Sequence, residues 1–205
     1  MSVGSTAAIV ARLDALERAL DARHPQRLTE TGSRERADEW DDLTLDGMAA
    51  EQAALRGTAE AAAELATLAV GEPARTYVAL YRRTLAQRLA RARGFLHAFP
   101  VNQMLGLPNQ TGGGLRVTFF LANVHPLDTA VDVETYLARL EASGPHLLRL
   151  VATLRDGARR GLVLPGCVIA ATRAACAAML QGAPFDGTAP HPLLARLRQA
   201  LPLPA

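Results

Sequence analysis

The chain has 205 residues, of which 22 are basic and 20 acidic, giving a formal net charge of +2; hydrophobic residues make up 49% and charged residues 20%. That composition excludes an intrinsically disordered chain. The near balance of charge gives no nucleic-acid footprint, and no apolar run approaches the ~18 residues that would argue for a membrane span. Arg12, Asp14, Glu17 and Arg18 interrupt the N-terminal apolar stretch, which argues against a secretory leader and its uncharged central region. All the basic residues are arginine. The guanidinium favours bidentate pairing with carboxylates.

In chain order, Ile9, Leu13, Leu16 and Leu20 recur at three- and four-residue steps and predict a helix from Thr6 to about Ala22, capped by Ser5 or Thr6. His24-Pro25 ends it, because the residue before proline is pushed out of the helical region. Residues 24–43 have loop or short-turn composition, with Trp40 as the anchor of that loop onto the core. A second helix is expected from Thr44 toward Val70, with Gly57 inside it, and Gly71-Glu72-Pro73 breaks the chain. A third, from Ala74 to about Ala98, places Tyr77, Val78, Tyr81, Leu85, Leu89 and Leu96 on one broad face. Arg75, Arg82, Arg83 and Arg93 lie mostly opposite, as a solvated face or a surface for an acidic partner.

Residues 99–130 read differently. Pro100, Gly106, Pro108 and Gly112-Gly113-Gly114 punctuate them, and the apolar run 117–121 is a strand or a buried helix turn. Helical periodicity returns after Asp128-Thr129 and is expected to stop at Ser143-Gly144. Further helices open at Pro145, Pro165 and Pro192. The expected architecture is all-α: one domain over residues 1–205, about seven helices in an irregular bundle, and one long irregular segment near 99–127.

Chemical motifs are sparse. His24, His97, His125, His146 and His191 are scattered, with no pair at the helical spacing that aims two ligands at one ion. His125, beside the irregular segment, is the histidine of interest, whereas His24 and His191, next to prolines, are expected at the surface. The acidic run Asp38, Glu39, Asp41, Asp42 and Asp46 lacks the spacing and central glycine of a calcium loop and reads as a solvated loop leading to a helix start. The three glycines have no Lys-Ser/Thr after them, so a phosphate cradle has little support. Cys167 and Cys176, nine residues apart on one helix, face opposite ways and cannot be bridged. They read as reduced core thiols, which suits a cytoplasmic protein.

One resemblance goes further. His-Ala-Phe-Pro-Val-Asn-Gln-Met-Leu-Gly at 97–106 is followed by Val-His-Pro-Leu at 124–127, Asp-Val-Glu-Thr-Tyr-Leu-Ala-Arg-Leu at 132–140, Leu-Arg-Asp-Gly-Ala-Arg-Arg-Gly at 154–161 and Pro165. With His24-Pro25 and Trp-Asp-Asp-Leu at 40–43, this order resembles the N-terminal half of the bacterial family called domain of unknown function 885, over roughly residues 20–200. The resemblance implies a largely helical protein similar to zinc metallopeptidases, whose metal signature of the His-Glu-x-x-x-Gly-His type belongs to a C-terminal half. This chain carries no such signature, so no residue here receives a catalytic or metal role. Zinc is expected only in a missing C-terminal half or in a partner, with no cofactor in this chain. Three readings follow. The chain is the non-catalytic part of a longer hydrolase, forming one wall of a substrate cleft, with Asn102, Gln103 and His125 as candidate substrate contacts. It is instead a stand-alone helical interaction module, or a small independent enzyme using scattered residues. The expected partner is a C-terminal half or a partner subunit, not nucleic acid or a membrane.

Overall fold

A computed structural model describes residues 4–93, 116–163, 165–178, 180, 182–183, 185–187 and 189–201. Among them the chain is all-α, with eight helices: α1 (Thr6–Asp21), α2 (Pro25–Glu30), α3 (Leu45–Leu68), α4 (Glu72–Arg93), α5 (Arg116–Asn123), α6 (Ala130–Arg159), α7 (Gly166–Ala178) and α8 (Pro192–Ala200). No helix among the described residues is long and apolar enough to cross a membrane. The chain divides into two compact units, one of residues 1–24 and 45–97, the other of residues 25–44 and 98–205.

The first unit consists of α1, α3 and α4. Ser5 caps α1 as expected, its hydroxyl accepting from the Ala8 N–H at 3.4 Å. The short connection after α3 makes α3 and α4 antiparallel neighbours. It turns through Gly71 at φ 84°, in the left-handed region that glycine enters at no steric cost. Their apolar faces close on α1 in two clusters, Ile9, Leu13, Leu65, Ala69, Ala74 and Val78 toward one end and Leu20, Leu55, Ala62 and Leu85 toward the other. Polar bonds tie the same helices: Glu17 accepts from Tyr81 at 3.0 Å and from Arg88 at 2.9 Å, and Glu51 takes Arg23 at 3.0 Å and His24 at 3.2 Å. His24 is therefore an ion-pair partner at the end of α1, half-buried where an exposed residue was expected.

Gly57 sits on the exposed side of α3, and a Cβ placed on it would meet nothing within 4 Å. Its backbone freedom is a cost without a packing return. Gly57→Ala is expected to stabilise the protein by about 1 kcal/mol, the helix-propensity difference, readable as a raised urea midpoint at constant slope.

The second unit is organised on α6. Thr129 and Asp132 form a capping box at its start, the Thr129 hydroxyl accepting from the Asp132 N–H at 3.1 Å and Asp132 from the Thr129 N–H at 3.0 Å. Two helices were expected here, divided at Ser143-Gly144-Pro145; the structure has one, with Pro145 inside it. An internal proline costs roughly 3 kcal/mol. The buried stripe Arg139, Ser143, His146, Leu150, Thr153 and Gly157 continues in register across the break, and burial of that stripe overrides the local stop signal.

Two more helices depart from the sequence reading. Pro25 starts α2 inside the stretch read as loop, because a proline at the first helical position gives up an N–H that has no partner anyway. The ambiguous 117–121 run is α5, with Val117, Phe120 and Leu121 buried beside Trp40 and Tyr136. The cysteines also differ from expectation. Both are free, and both are exposed on α7 rather than in the core. The glycine triplet, His97, and Asn102 and Gln103 lie outside the described residues.

Candidate functional site

The deepest concentration of ionisable and aromatic groups is in the second unit, where α6 meets residues 25–44. Arg139 is fully buried. Among the described residues no carboxylate binds its guanidinium directly. Its Nε donates to the Glu39 carbonyl at 2.9 Å, one terminal nitrogen to the Thr29 hydroxyl at 3.0 Å, and the other to the carbonyls of Arg36 at 3.2 Å and Pro25 at 3.5 Å. One side chain thus gathers four points of the 25–44 segment. Arg36 holds a left-handed φ of 52°, the one non-glycine residue to do so among the described residues. That strained backbone places its carbonyl toward Arg139.

Aromatic rings enclose the same cation. The Arg139 guanidinium carbon lies 5.0 Å from the Phe120 ring centre and 5.5 Å from that of Trp40. Burial lowers its pKa to about 10 against the upward pull of Asp41, Asp38 and Glu39, so the group is charged at pH 7. Trp40, expected as a loop anchor, is one: its indole N–H donates to the Arg139 carbonyl at 2.9 Å, and the Ser143 hydroxyl donates to that carbonyl at 3.0 Å.

The histidines of this unit divide. His125 is fully buried, with Nδ1 2.8 Å from the Pro126 carbonyl, Nε2 3.1 Å from the Ala37 carbonyl, and its ring edge-on to Tyr136. Burial holds its pKa below the ordinary value, helped by the Arg139 and Arg196 cations and opposed by the two carbonyls. A neutral ring has one N–H, so it donates to one carbonyl at a time. His146 stacks on Trp40 with ring centres 5.1 Å apart, and its buried Nδ1 has no hydrogen-bond partner among the described residues. Burial, with Arg149, lowers its pKa to about 4. His191, expected at the surface, is buried; its Nδ1 accepts from the Leu193 N–H at 3.3 Å and caps α8.

The acidic run behaves as the sequence suggested. Asp41 accepts from the Gln26 N–H and Asp42 from the Thr44 N–H, both turn-fixing contacts, and Asp46 sits in the first turn of α3. Asp132 is the buried acid. It completes the capping box and pairs with Arg34 at 2.8 Å; burial opposes its ionisation, but these bonds hold its pKa below the usual carboxylate range. Arg196 caps the end of α5, donating to the Leu121 carbonyl at 3.0 Å and to the His125 carbonyl.

Zinc does not fit this set. Among the described residues no three His, Cys, Asp or Glu side chains converge on one point. The His125 nitrogens face carbonyl oxygens, His191 caps a helix and His24 pairs with Glu51. Sequence reasoning singled out His125 and Trp40 but missed Arg139 and His146. Their only sequence signal was a polar residue at core phase on an amphipathic helix.

Comparison with curated proteins and with solved structures gives no match. The family described as bacterial protein of unknown function (DUF885) matches residues 25–202, which take in the whole arrangement around Arg139. The chain belongs to the DUF885 family.

Proposed function

We propose that this chain is the non-catalytic helical part of a metallopeptidase-like hydrolase, serving as one wall of a substrate cleft or as a subunit that lacks the metal motif. The observation that carries this reading is how the buried polar groups of the second unit are used. Arg139, His125 and Asp132 bind backbone carbonyls and N–H groups, and so position chain segments. A hydrolytic site needs a nucleophile and a base with a free reaction coordinate between them. In this reading Asn102 and Gln103 contact substrate, whereas His125, expected as a third contact, is fully buried with both ring nitrogens on carbonyls and fixes the chain around Pro126 instead.

The test is direct. The 205-residue chain, loaded with excess zinc and then desalted, is expected to retain well under one zinc per chain and to hydrolyse neither peptide nor ester substrates. One tightly held zinc per chain with chelator-sensitive hydrolysis would overturn the reading. A stand-alone interaction module is the second reading. It is favoured by α7, which carries one charge, Arg173, and exposes Cys167, Ile169 and Cys176. Intact mass from the native source well above 21.8 kDa supports part of a longer hydrolase; at 21.8 kDa, co-purification separates a subunit bound to a metal-carrying hydrolase from the module.

A further inference from the structure

The outer face of α4 is basic over its N-terminal half. Arg75, Arg82, Arg83 and Arg91 are all exposed, and Glu72, in the first turn, is the one acid on the helix. Among the described residues the ion pair of α4 is made by Arg88, which turns inward to Glu17; the four outer arginines make none. At ~100° per residue Arg75, Arg82 and Arg83 share one side of the helix over ~12 Å of its axis, and Arg91 lies on the far flank. Ala79, Ala86 and Ala90 lie between the arginines, exposed and low in relief. Leu80 and Tyr77 add apolar surface at the margin, 58% and 51% exposed.

We propose that this face of α4 docks an acidic helical segment of a protein partner. Guanidinium groups suit carboxylates through paired N–H donors. The alanine floor allows close helix approach, and Leu80 and Tyr77 offer apolar contact that a purely ionic ligand would not use. The neighbouring helix selects the partner class. The exposed residues of α3 include Asp46, Glu60 and Glu64 against Arg56. Packed helices lie roughly 8–10 Å apart, about one Debye length at physiological salt. The basic surface therefore does not continue onto α3, and its width matches a single acidic helix, whereas a nucleic-acid duplex is wider than the face.

The test uses the full chain and a fluorescein-labelled 20-residue helical peptide of Glu, Ala and Leu, read by anisotropy in 0.15 M salt, with a 20-base-pair DNA duplex as the competing probe. The peptide is expected to bind more tightly than the duplex. Arg75→Gln/Arg82→Gln/Arg83→Gln is expected to weaken it at least tenfold and to flatten its salt dependence, and Leu80→Ser to weaken it several-fold. Arg12→Gln/Arg18→Gln/Arg56→Gln removes the same charge from α1 and α3 and is expected to leave binding unchanged. Circular dichroism melting confirms that each variant is folded. No peptide binding, equal losses in the two triple variants, or tighter binding of the duplex would each overturn the proposal.

Discussion

Arg139→Met is expected to destabilise the second unit by about 3 kcal/mol. Methionine fills most of the volume and tolerates the Phe120 and Trp40 rings, so little of the loss comes from a cavity. The cost lies with the partners left behind. The carbonyls of Glu39 and Arg36 lose their donor from Arg139, and the Thr29 hydroxyl loses one of its contacts. The Arg36 carbonyl keeps the Glu39 N–H and the Thr29 hydroxyl keeps Pro25, so the loss is that of several hydrogen bonds to a charged group, each about 1.5–3 kcal/mol at most. Arg139→Lys keeps the charge but has no planar fork, and is expected to recover less than half of the loss. Urea unfolding followed by Trp40 emission reads both variants, because Trp40 is the single tryptophan and is buried against this cluster.

Acid is expected to weaken the fold well before its carboxylates titrate, and His146 is the reason. Its pKa is lowered to about 4 in the fold, while the unfolded chain has the ordinary value near 6.5. The unfolded state therefore binds the proton first as pH falls. Stability that is fully present above pH ~6.5 is lost progressively down to pH ~4, for a total of about 3 kcal/mol. Trp40 covers one face of the ring, Arg149 is a nearby like charge, and Asp41 and Asp42 pull weakly the other way. His146→Phe preserves the stacked ring and removes the proton site. Its unfolding free energy is expected to decline less than that of the wild type between about pH 6.5 and 4.5, the remaining decline coming from His125, whose folded pKa is also lowered. Asp132, with its pKa held below the usual carboxylate range, contributes only at lower pH: its stabilisation is present above about 3.8 and is lost as pH falls through its lowered folded value.

Much of this fold was legible as helical periodicity. Ile9, Leu13 and Leu20 placed α1, and Ser5 its cap, because those signals are local. The misreadings came where tertiary burial outweighed a local rule. Pro145 looked like a helix start and is a tolerated interior residue, since the buried stripe from Arg139 to Thr153 runs through it. Pro25 looked like a stop and is also a start. Cys167 and Cys176 looked like core thiols on composition alone; exposure depends on what packs against α7, which sequence does not state. The site was less legible than the fold. Arg139 sits in a run whose family resemblance was visible, but nothing in its neighbours announces a buried cation. Its partners are backbone carbonyls about a hundred residues away in sequence, and a carbonyl has no sequence signature.

The buried polar groups of the second unit bind chain segments, Arg139 above all others holding residues 25–44. Amide hydrogen exchange of the wild type and Arg139→Met, at a pH and temperature where both are folded, tests this clamp most directly. Residues 25–44 are expected to lose protection by at least a hundredfold in the variant, about 3 kcal/mol of local opening free energy. Unchanged protection of 25–44 would contradict the clamp.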